Sequence, residues 1–289
     1  GFITPSVPFA ERWFIDMKHD YYYYNKEEML RAPKIPLIVM KDNPEVFEDM
    51  AREMADTIKD KNSRGETTVF ICPVGPVGQY PYFVDMVNSE NISLKNAWFI
   101  NMDEYLTDDK KWIPKEESLS FRGFMERNVY SKIRPELVMP PEQRIFPDPD
   151  DLGHIGKVIE ELGGVDICFG GIGINGHVAF NEADDSLSNE AFLAQHTRVL
   201  EISKETRAVN SIGDLNGALD DMPKYCITIG INEIAHARKI RLGVFRDWHR
   251  SVVRHAAYGE PSSHFPVTLL QDHPDISIRM TEFVANLPE

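Results

Sequence analysis

The stretch Asp166–Glu182, DICFGGIGINGHVAFNE, holds the residues whose types and spacing bear most directly on chemistry. Gly171, Gly173 and Gly176 follow an apolar run that reads as a strand, and His177 comes directly after the third glycine. The G-x-G-x-x-G spacing alone would suit a dinucleotide-binding turn. Such a turn needs its third glycine to open a helix facing a pyrophosphate, in the first βα unit of a chain. Here an imidazole and a mixed apolar run follow Gly176, and the motif lies beyond residue 165. The glycines therefore read as clearance, letting the backbone turn tightly and approach a ligand. His177 then stands at the carboxyl end of a strand, with Asn175 and Glu182 near enough in sequence to orient its ring. A histidine with an acidic partner is a general acid/base pair for neutral pH. Taken alone, a histidine that fills a loop and bonds to backbone is the plainer alternative.

A second constellation is NMDEY, Asn101–Tyr105, at the end of the apolar run AWFINMDEY, which reads as one buried strand reaching the same sheet edge. Side chains alternate along a strand, so Asp103 and Glu104 cannot both face one site. One is expected in the site and the other on supporting partners or solvent. Acids that cap a following helix are the alternative.

The elements that must position these residues alternate along the chain. PLIVM, TTVFICPVG, AWFINMDEY, VDICFGGIG and DISIRMT read as strands, and YCITIGINEIAHAR and IRLGVFRDWHRSVVRHAAYG as strand or turn plus helix units. NPEVFEDMAREMADTIKDK, QYPYFVDMVN, LSFRGFMERNVYSKI and HIGKVIEELGG read as helices, from apolar residues at helical spacing with proline near the start or glycine at the end. This alternation predicts an α/β fold: a doubly wound, mostly parallel, Rossmann-like sheet with helices on both faces. Ligands in such sheets collect at the carboxyl ends of the strands, which draws attention to loops 72–79, 101–106 and 171–182. Residues 35–289 are expected to form a single domain. Residues 1–34 read as an aromatic-rich N-terminal arm that packs Tyr21–Tyr24 on the body or on a neighbouring subunit; stacking on a ligand is the alternative.

Bulk properties narrow the partners. The 289 residues are 42% apolar and 27% charged, ordinary for a globular protein. A net charge of −15 argues against binding to nucleic acid or to an anionic membrane, since phosphate surfaces need clustered Lys and Arg. No apolar run is long enough to span a bilayer, and no signal-peptide core is read at the N-terminus. Cys72, Cys168 and Cys226 are widely spaced in apolar contexts, which predicts buried free thiols in a reducing, cytoplasmic compartment. No metal-ligand cluster is read.

NMDEY, GGIGINGHVAFNE, ETRAVNS and PKYCITIGINEI, in this order and spacing, resemble the glucosamine-6-phosphate deaminase/isomerase family from about Pro36 to about Ala285. A related lactonase branch has the G-H but not the A-F-N-E that follows it. The resemblance implies ring opening of an aldose, proton movement between C2 and C1, and loss of ammonia from C2, without metal or organic cofactor. It implies that His177 serves the ring-opening step, that Asp103 moves the proton, and that Glu104, Asn175 and Glu182 support them. It implies substrate contacts from Val74, Gly75, Gly78, Gly173, Gly176, Arg207 and His249. A small-molecule sugar or sugar phosphate is the implied partner, and homo-oligomers are common in the family.

Three departures stand out. Asn175 occupies a position where the family has Asp, so it can accept a hydrogen bond but adds no charge. In the family's phosphate loop, here CPVGPVGQY, Val74 and Val77 replace hydroxyl residues and Pro76 removes an N–H donor. Ile212 and His249 stand where an Arg and a Lys are expected, with Arg246, Arg250 and Arg122 as substitute cations. These changes predict a substrate tail other than an ordinary phosphate. A sugar sensor without turnover and a lactone hydrolase are the rival readings. The segment Glu182–Arg198 is longer than its family counterpart, and Ser203–Pro223 corresponds to a mobile lid.

Overall fold

The computed structural model describes residues 19–289. Seven strands form one parallel sheet, and the interior ones are apolar runs buried on both faces. The seven are β1 (Leu37–Met40), β2 (Thr68–Cys72), β3 (Ala97–Asn101), β5 (Arg144–Ile145), β6 (Ile167–Gly170), β9 (Lys239–Val244) and β10 (Ile276–Thr281). Their order is β1-β10-β9-β6-β2-β3-β5, and every pairing is parallel. Side-chain alternation divides the core between the two faces. Val69, Ile71, Ile100 and Cys168 pack with Ile155, Val158, Val252 and Val253 from helices His154–Leu162 and His249–Tyr258. Phe70, Cys72, Phe99 and Phe169 face the other way, onto Val46, Met50, Met54, Phe83 and Val87 of helices Asn43–Ser63 and Gln79–Ser89. The doubly wound sheet anticipated from the alternation is therefore present.

Local signals explain the helix ends. Asp42 caps helix Asn43–Ser63 by accepting the Glu45 N–H at 3.1 Å, and Pro44 sits in its first turn, where no donor is lost. Gly163, at φ +81°, closes helix His154–Leu162 in the left-handed conformation that only glycine adopts cheaply.

Strand order reverses between β2 and β6. From β2 the chain proceeds outward through β3 to β5; from β6 it proceeds the opposite way through β9 to β10. The loops after β2 and β6 thus leave neighbouring strands toward opposite faces, opening a crevice at their carboxyl ends.

One element differs from expectation. AWFINMDEY is not a single strand: β3 ends at Asn101, and Asp103–Leu106 is β4 of a separate antiparallel sheet, β4-β8-β7, with β7 at Arg198–Glu201 and β8 at Tyr225–Thr228. Met102 bridges the two, its N–H bonding to Cys72 O at 3.1 Å and its carbonyl accepting from Ile229 N at 2.7 Å. An unbroken apolar run carries no mark of where one set of strand partners ends and another begins, so the sequence pattern missed the change of sheet. The short β5 and β7 were missed as well.

Glu104, fully buried on β4, ties the small sheet to helix Phe121–Asn128. It accepts the N–H groups of Tyr105, Phe121 and Arg122 at 2.9 Å each and the Ser120 hydroxyl at 3.0 Å. Burial pushes its pKa up and these four bonds pull against that push. It is thus a helix-capping acid, one of the two roles open to it in the sequence.

Residues 19–34 lie against helix His249–Tyr258. The Tyr22 hydroxyl meets His255 Nδ1 at 3.0 Å, Tyr24 packs edge-on to Tyr258, and the buried Arg254 donates to Tyr24 O at 2.8 Å. The remainder of the aromatic-rich arm, residues 1–18, lies outside the described residues. Cys72, Cys168 and Cys226 are free and buried, and burial pushes each thiol above its ordinary range. Among the described residues, no helix is long and apolar enough to cross a membrane.

Glu104→Ala strands two backbone donors at the start of helix Phe121–Asn128 and should cost about 2–4 kcal/mol of unfolding free energy. Urea denaturation of the variant against the parent protein checks this. A loss below about 1 kcal/mol would mean that water replaces the carboxylate.

Candidate active site

The crevice at the strand-order reversal is a cavity of about 190 Å³. Each of four loops supplies part of its wall: Pro73–Pro76 after β2, Met102 and Asp103 after β3, Gly171–Gly173 with His177 after β6, and Phe245, Arg246, Trp248 and His249 after β9. Asn210 and Asp214, on helix Lys204–Asp214, complete it. That helix lies in the segment expected to be a lid.

His177 is nearly buried, and its Nδ1 lies 2.8 Å from Glu182 Oε1 and 2.7 Å from Asn175 Oδ1. Glu182 Oε1 and Asn175 Oδ1 are both acceptors, so Nδ1 carries a hydrogen toward them and Nε2 is the nitrogen free to exchange a proton with a ligand. Glu182 is itself held from several sides. Its Oε1 accepts from the Thr206 hydroxyl at 2.8 Å and from Asn175 Nδ2 at 3.3 Å, and its Oε2 accepts the Ser203 N–H at 2.6 Å. Burial alone would raise the pKa of this carboxyl. The hydrogen bond and charge of His177, with Ser203 and Thr206, outweigh burial and hold it down at about 2. Glu182 is therefore ionised at working pH. Ser203 also caps helix Lys204–Asp214, so the acid behind the histidine anchors the start of the expected lid.

Gly173 and Gly176 make room for side chains of this chain, where the sequence pattern anticipates close approach of a ligand. The His177 ring lies directly on Gly173, where any Cβ would collide with Cε1 and Nε2. Gly176, at φ +81°, is covered by the Phe265 ring and does not line the cavity.

Asp103 is 7% exposed and lines the cavity. Its pKa is pushed well above the usual carboxylate range, chiefly by burial and further by Glu104. The division foreseen for the two acids holds: Asp103 faces the cavity, and Glu104 faces supporting donors.

Other positions named from sequence fall in varied places. Val74 and Gly75 line the cavity; Gly78 lies in an adjoining chamber. Arg207 is not among the cavity-lining residues; its guanidinium reaches Met222 O at 3.5 Å. His249 lines the cavity but cannot act there as a cation. Its Nε2 donates to Ile172 O at 2.8 Å, and its Nδ1 accepts from Phe245 N at 3.2 Å and Arg246 N at 2.9 Å. Burial lowers its pKa to about 4, so it is a neutral brace between the loops after β6 and β9. Arg250 donates to Phe283 O and Asn286 O, and Arg122 stacks on Trp112, both away from the cavity. Of the three substitute cations, Arg246 alone lines it. Sequence reasoning missed Tyr105, Asn210 and Asp214 as cavity residues. Their signal was weak, because Asn210 and Asp214 lie on a helix distant in sequence from both motifs.

Curated relatives match this chain over most of its length. Glucosamine-6-phosphate deaminase from Clostridium beijerinckii is 29% identical over 254 residues, spanning 86% of this chain and 98% of the relative. Glucosamine-6-phosphate deaminase from Bacteroides fragilis is 29% identical over 245 residues, spanning 82% and 85%. A solved monomeric glucosamine-6-phosphate deaminase superposes with a TM-score of 0.75 at 25% identity, covering 87% of this chain and 99% of that one. Over most of its length the chain is thus similar to glucosamine-6-phosphate deaminases in sequence and in fold. Within the wider fold, 6-phosphogluconolactonase from Trypanosoma cruzi superposes with a TM-score of 0.61 at 14% identity, a likeness of fold alone. No family model matches the chain. Among the described residues, no group of three or more His, Cys, Asp or Glu could hold a metal ion.

A carboxyl held near 2 stabilises the fold wherever it is ionised and loses that contribution as pH falls through its folded value. Glu182→Gln should therefore lower stability by about 3 kcal/mol near pH 6, and the gap should narrow as pH falls below 5. Denaturant titrations of both proteins across this range check the sign; a gap that widens toward acid would contradict it.

Proposed function

We propose that the protein is an amino-sugar isomerase/deaminase that opens an aldose ring, moves a proton between C2 and C1, and releases ammonia to leave a ketose. The observation that carries this reading is the pairing, on one cavity, of a base-ready imidazole with a buried carboxyl of raised pKa.

His177 Nε2 takes the proton of the anomeric hydroxyl and returns it to the ring oxygen as the C1–O bond breaks. An imidazole suits a step that needs both uptake and return of a proton near neutral pH. Glu182 fixes the tautomer and stabilises the transient imidazolium. Asn175 orients the ring through its oxygen and adds no second charge. Asp103 then takes the C2 proton and delivers it to C1. Burial suits it to this work, because a desolvated carboxylate is a stronger base than one in water. That transfer turns the C2 amine into an imine as an N–H proton passes to O1; water then adds to C2 and ammonia departs, leaving the ketose. The helix Lys204–Asp214 covers the opened sugar, and Asn210, joined to the Tyr105 hydroxyl at 3.3 Å, fixes part of that cover.

The test is ammonia and ketose formation from glucosamine 6-phosphate and, separately, from glucosamine. Product from either supports the reading. Hydrolysis of a sugar lactone with no ammonia from any amino sugar would replace it with the lactonase reading.

Two further outcomes follow from Asp103. It must be ionised to accept a proton, so the rate should fall with decreasing pH along a limb well above the ordinary carboxylate range near 4. Asp103→Asn should cut turnover about 10²–10⁴-fold while raising stability at neutral pH, since it removes a charge that burial disfavours. Thermal melts and pH–rate profiles measure both; an acid limb at the ordinary value would assign the base elsewhere.

A further inference from the structure

Across the Val74–Pro76 segment, the catalytic cavity adjoins a second chamber of about 430 Å³. The two share Val74, Gly75, Pro76, Phe121, Asp214, Phe245 and Arg246 as lining residues, so they are neighbouring spaces bordered by the same side chains. The second chamber adds Phe47, Val77, Gly78, Leu119 and Phe124, with two serines, Ser118 and Ser120, of which Ser120 gives its hydroxyl hydrogen to Glu104 Oε2 at 3.0 Å. Its walls are mainly aliphatic and aromatic.

The chamber is poorly built for a dianion. Val74 and Val77 offer no hydroxyl, and Pro76 has no N–H. Gly78 precedes helix Gln79–Ser89, whose first amides could otherwise attract an anion. The Phe47 ring covers that helix start, so closely that a Cβ on Gly78 would overlap it. Phe47 in turn meets Phe245 edge to face, with ring centroids 5.2 Å apart. The charged lining consists of Arg246 and Asp214, which also border the catalytic cavity. The Arg246 charge bears on Asp214 and lowers its pKa against the larger push of burial. A phosphate placed here would meet that carboxyl as well as the guanidinium. Like charges in a partly desolvated site are costly, whereas apolar surface gains by leaving water.

We propose that this chamber holds an uncharged, largely apolar substituent, alkyl, acyl or aryl, on the sugar whose C1–C2 end occupies the catalytic cavity. The inference rests on the amino-sugar reading for the identity of the sugar.

Three probes separate the alternatives: glucosamine, glucosamine 6-phosphate and 6-O-benzyl-glucosamine. Their affinities are measured by calorimetry on Asp103→Asn, which slows turnover, and ammonia release is followed separately on the parent protein. The benzyl ether is expected to bind at least about tenfold tighter than either other sugar, the equivalent of about 1.4 kcal/mol. Val77→Lys, which places a cation in the chamber, should shrink that preference and strengthen binding of the phosphate. Tightest binding of glucosamine 6-phosphate overturns the proposal. So does a benzyl ether no tighter than glucosamine, an order unmoved by Val77→Lys, or no binding by any probe. If the expected binding order holds but no probe yields ammonia, the catalytic reading fails and the chamber assignment stands.

Discussion

The reversal of strand order between β2 and β6 is the constraint on which the site depends. Two parallel strands lie side by side, and the loops that leave their carboxyl ends diverge to opposite faces of the sheet. The opening between them needs no special residue to create it, because it is a consequence of topology. What the residues do is keep it from closing. Gly173 gives up its side chain so that His177 can lie flat against the backbone. His249 spans from Ile172 to the Phe245–Arg246 turn and fixes the spacing of two loops at the cavity floor.

Around that opening, three acids are placed in environments that divide their roles. Glu182 receives four donors and the charge of an imidazole, so it stays ionised even though it is buried. Glu104 receives four donors and serves as a helix cap, locking β4 to the helix that supplies Phe121 to the cavity. Asp103 is buried beside Glu104, and its proton affinity rises. Pairs of titratable groups driven apart by their surroundings mark where acid and base roles are divided. The arrangement opposes folding at Asp103 and favours it at Glu182, so stability and chemistry are coupled through neighbouring groups.

The change of sheet at Met102 makes this division possible. On a single continuous strand, Asp103 and Glu104 would project from opposite faces of the main sheet into its two apolar cores. By leaving the sheet after Asn101, the chain carries Asp103 over the carboxyl edge and turns Glu104 toward the Phe121–Asn128 helix. The Met102 peptide satisfies hydrogen bonds to both sheets, so the transfer leaves neither its donor nor its acceptor unpaired.

By itself the sequence determined the parallel, doubly wound sheet, through apolar runs of strand length alternating with helical periodicity. It also marked the loop at Gly171–Glu182, because glycines beside a histidine and an acid are local features written in consecutive residues. It also showed side chains without donors at Val74 and Val77 and no N–H at Pro76, since these follow from residue type alone. Only the tertiary structure decided that His249 is a neutral brace, because its role depends on a carbonyl 77 residues away. It alone brought Asn210 and Asp214 to the cavity, left Arg207 outside it, and covered the start of helix Gln79–Ser89 with Phe47. Burial and hydrogen-bond partnership are properties of neighbours distant in the chain, and residue type and spacing do not encode which neighbours those will be.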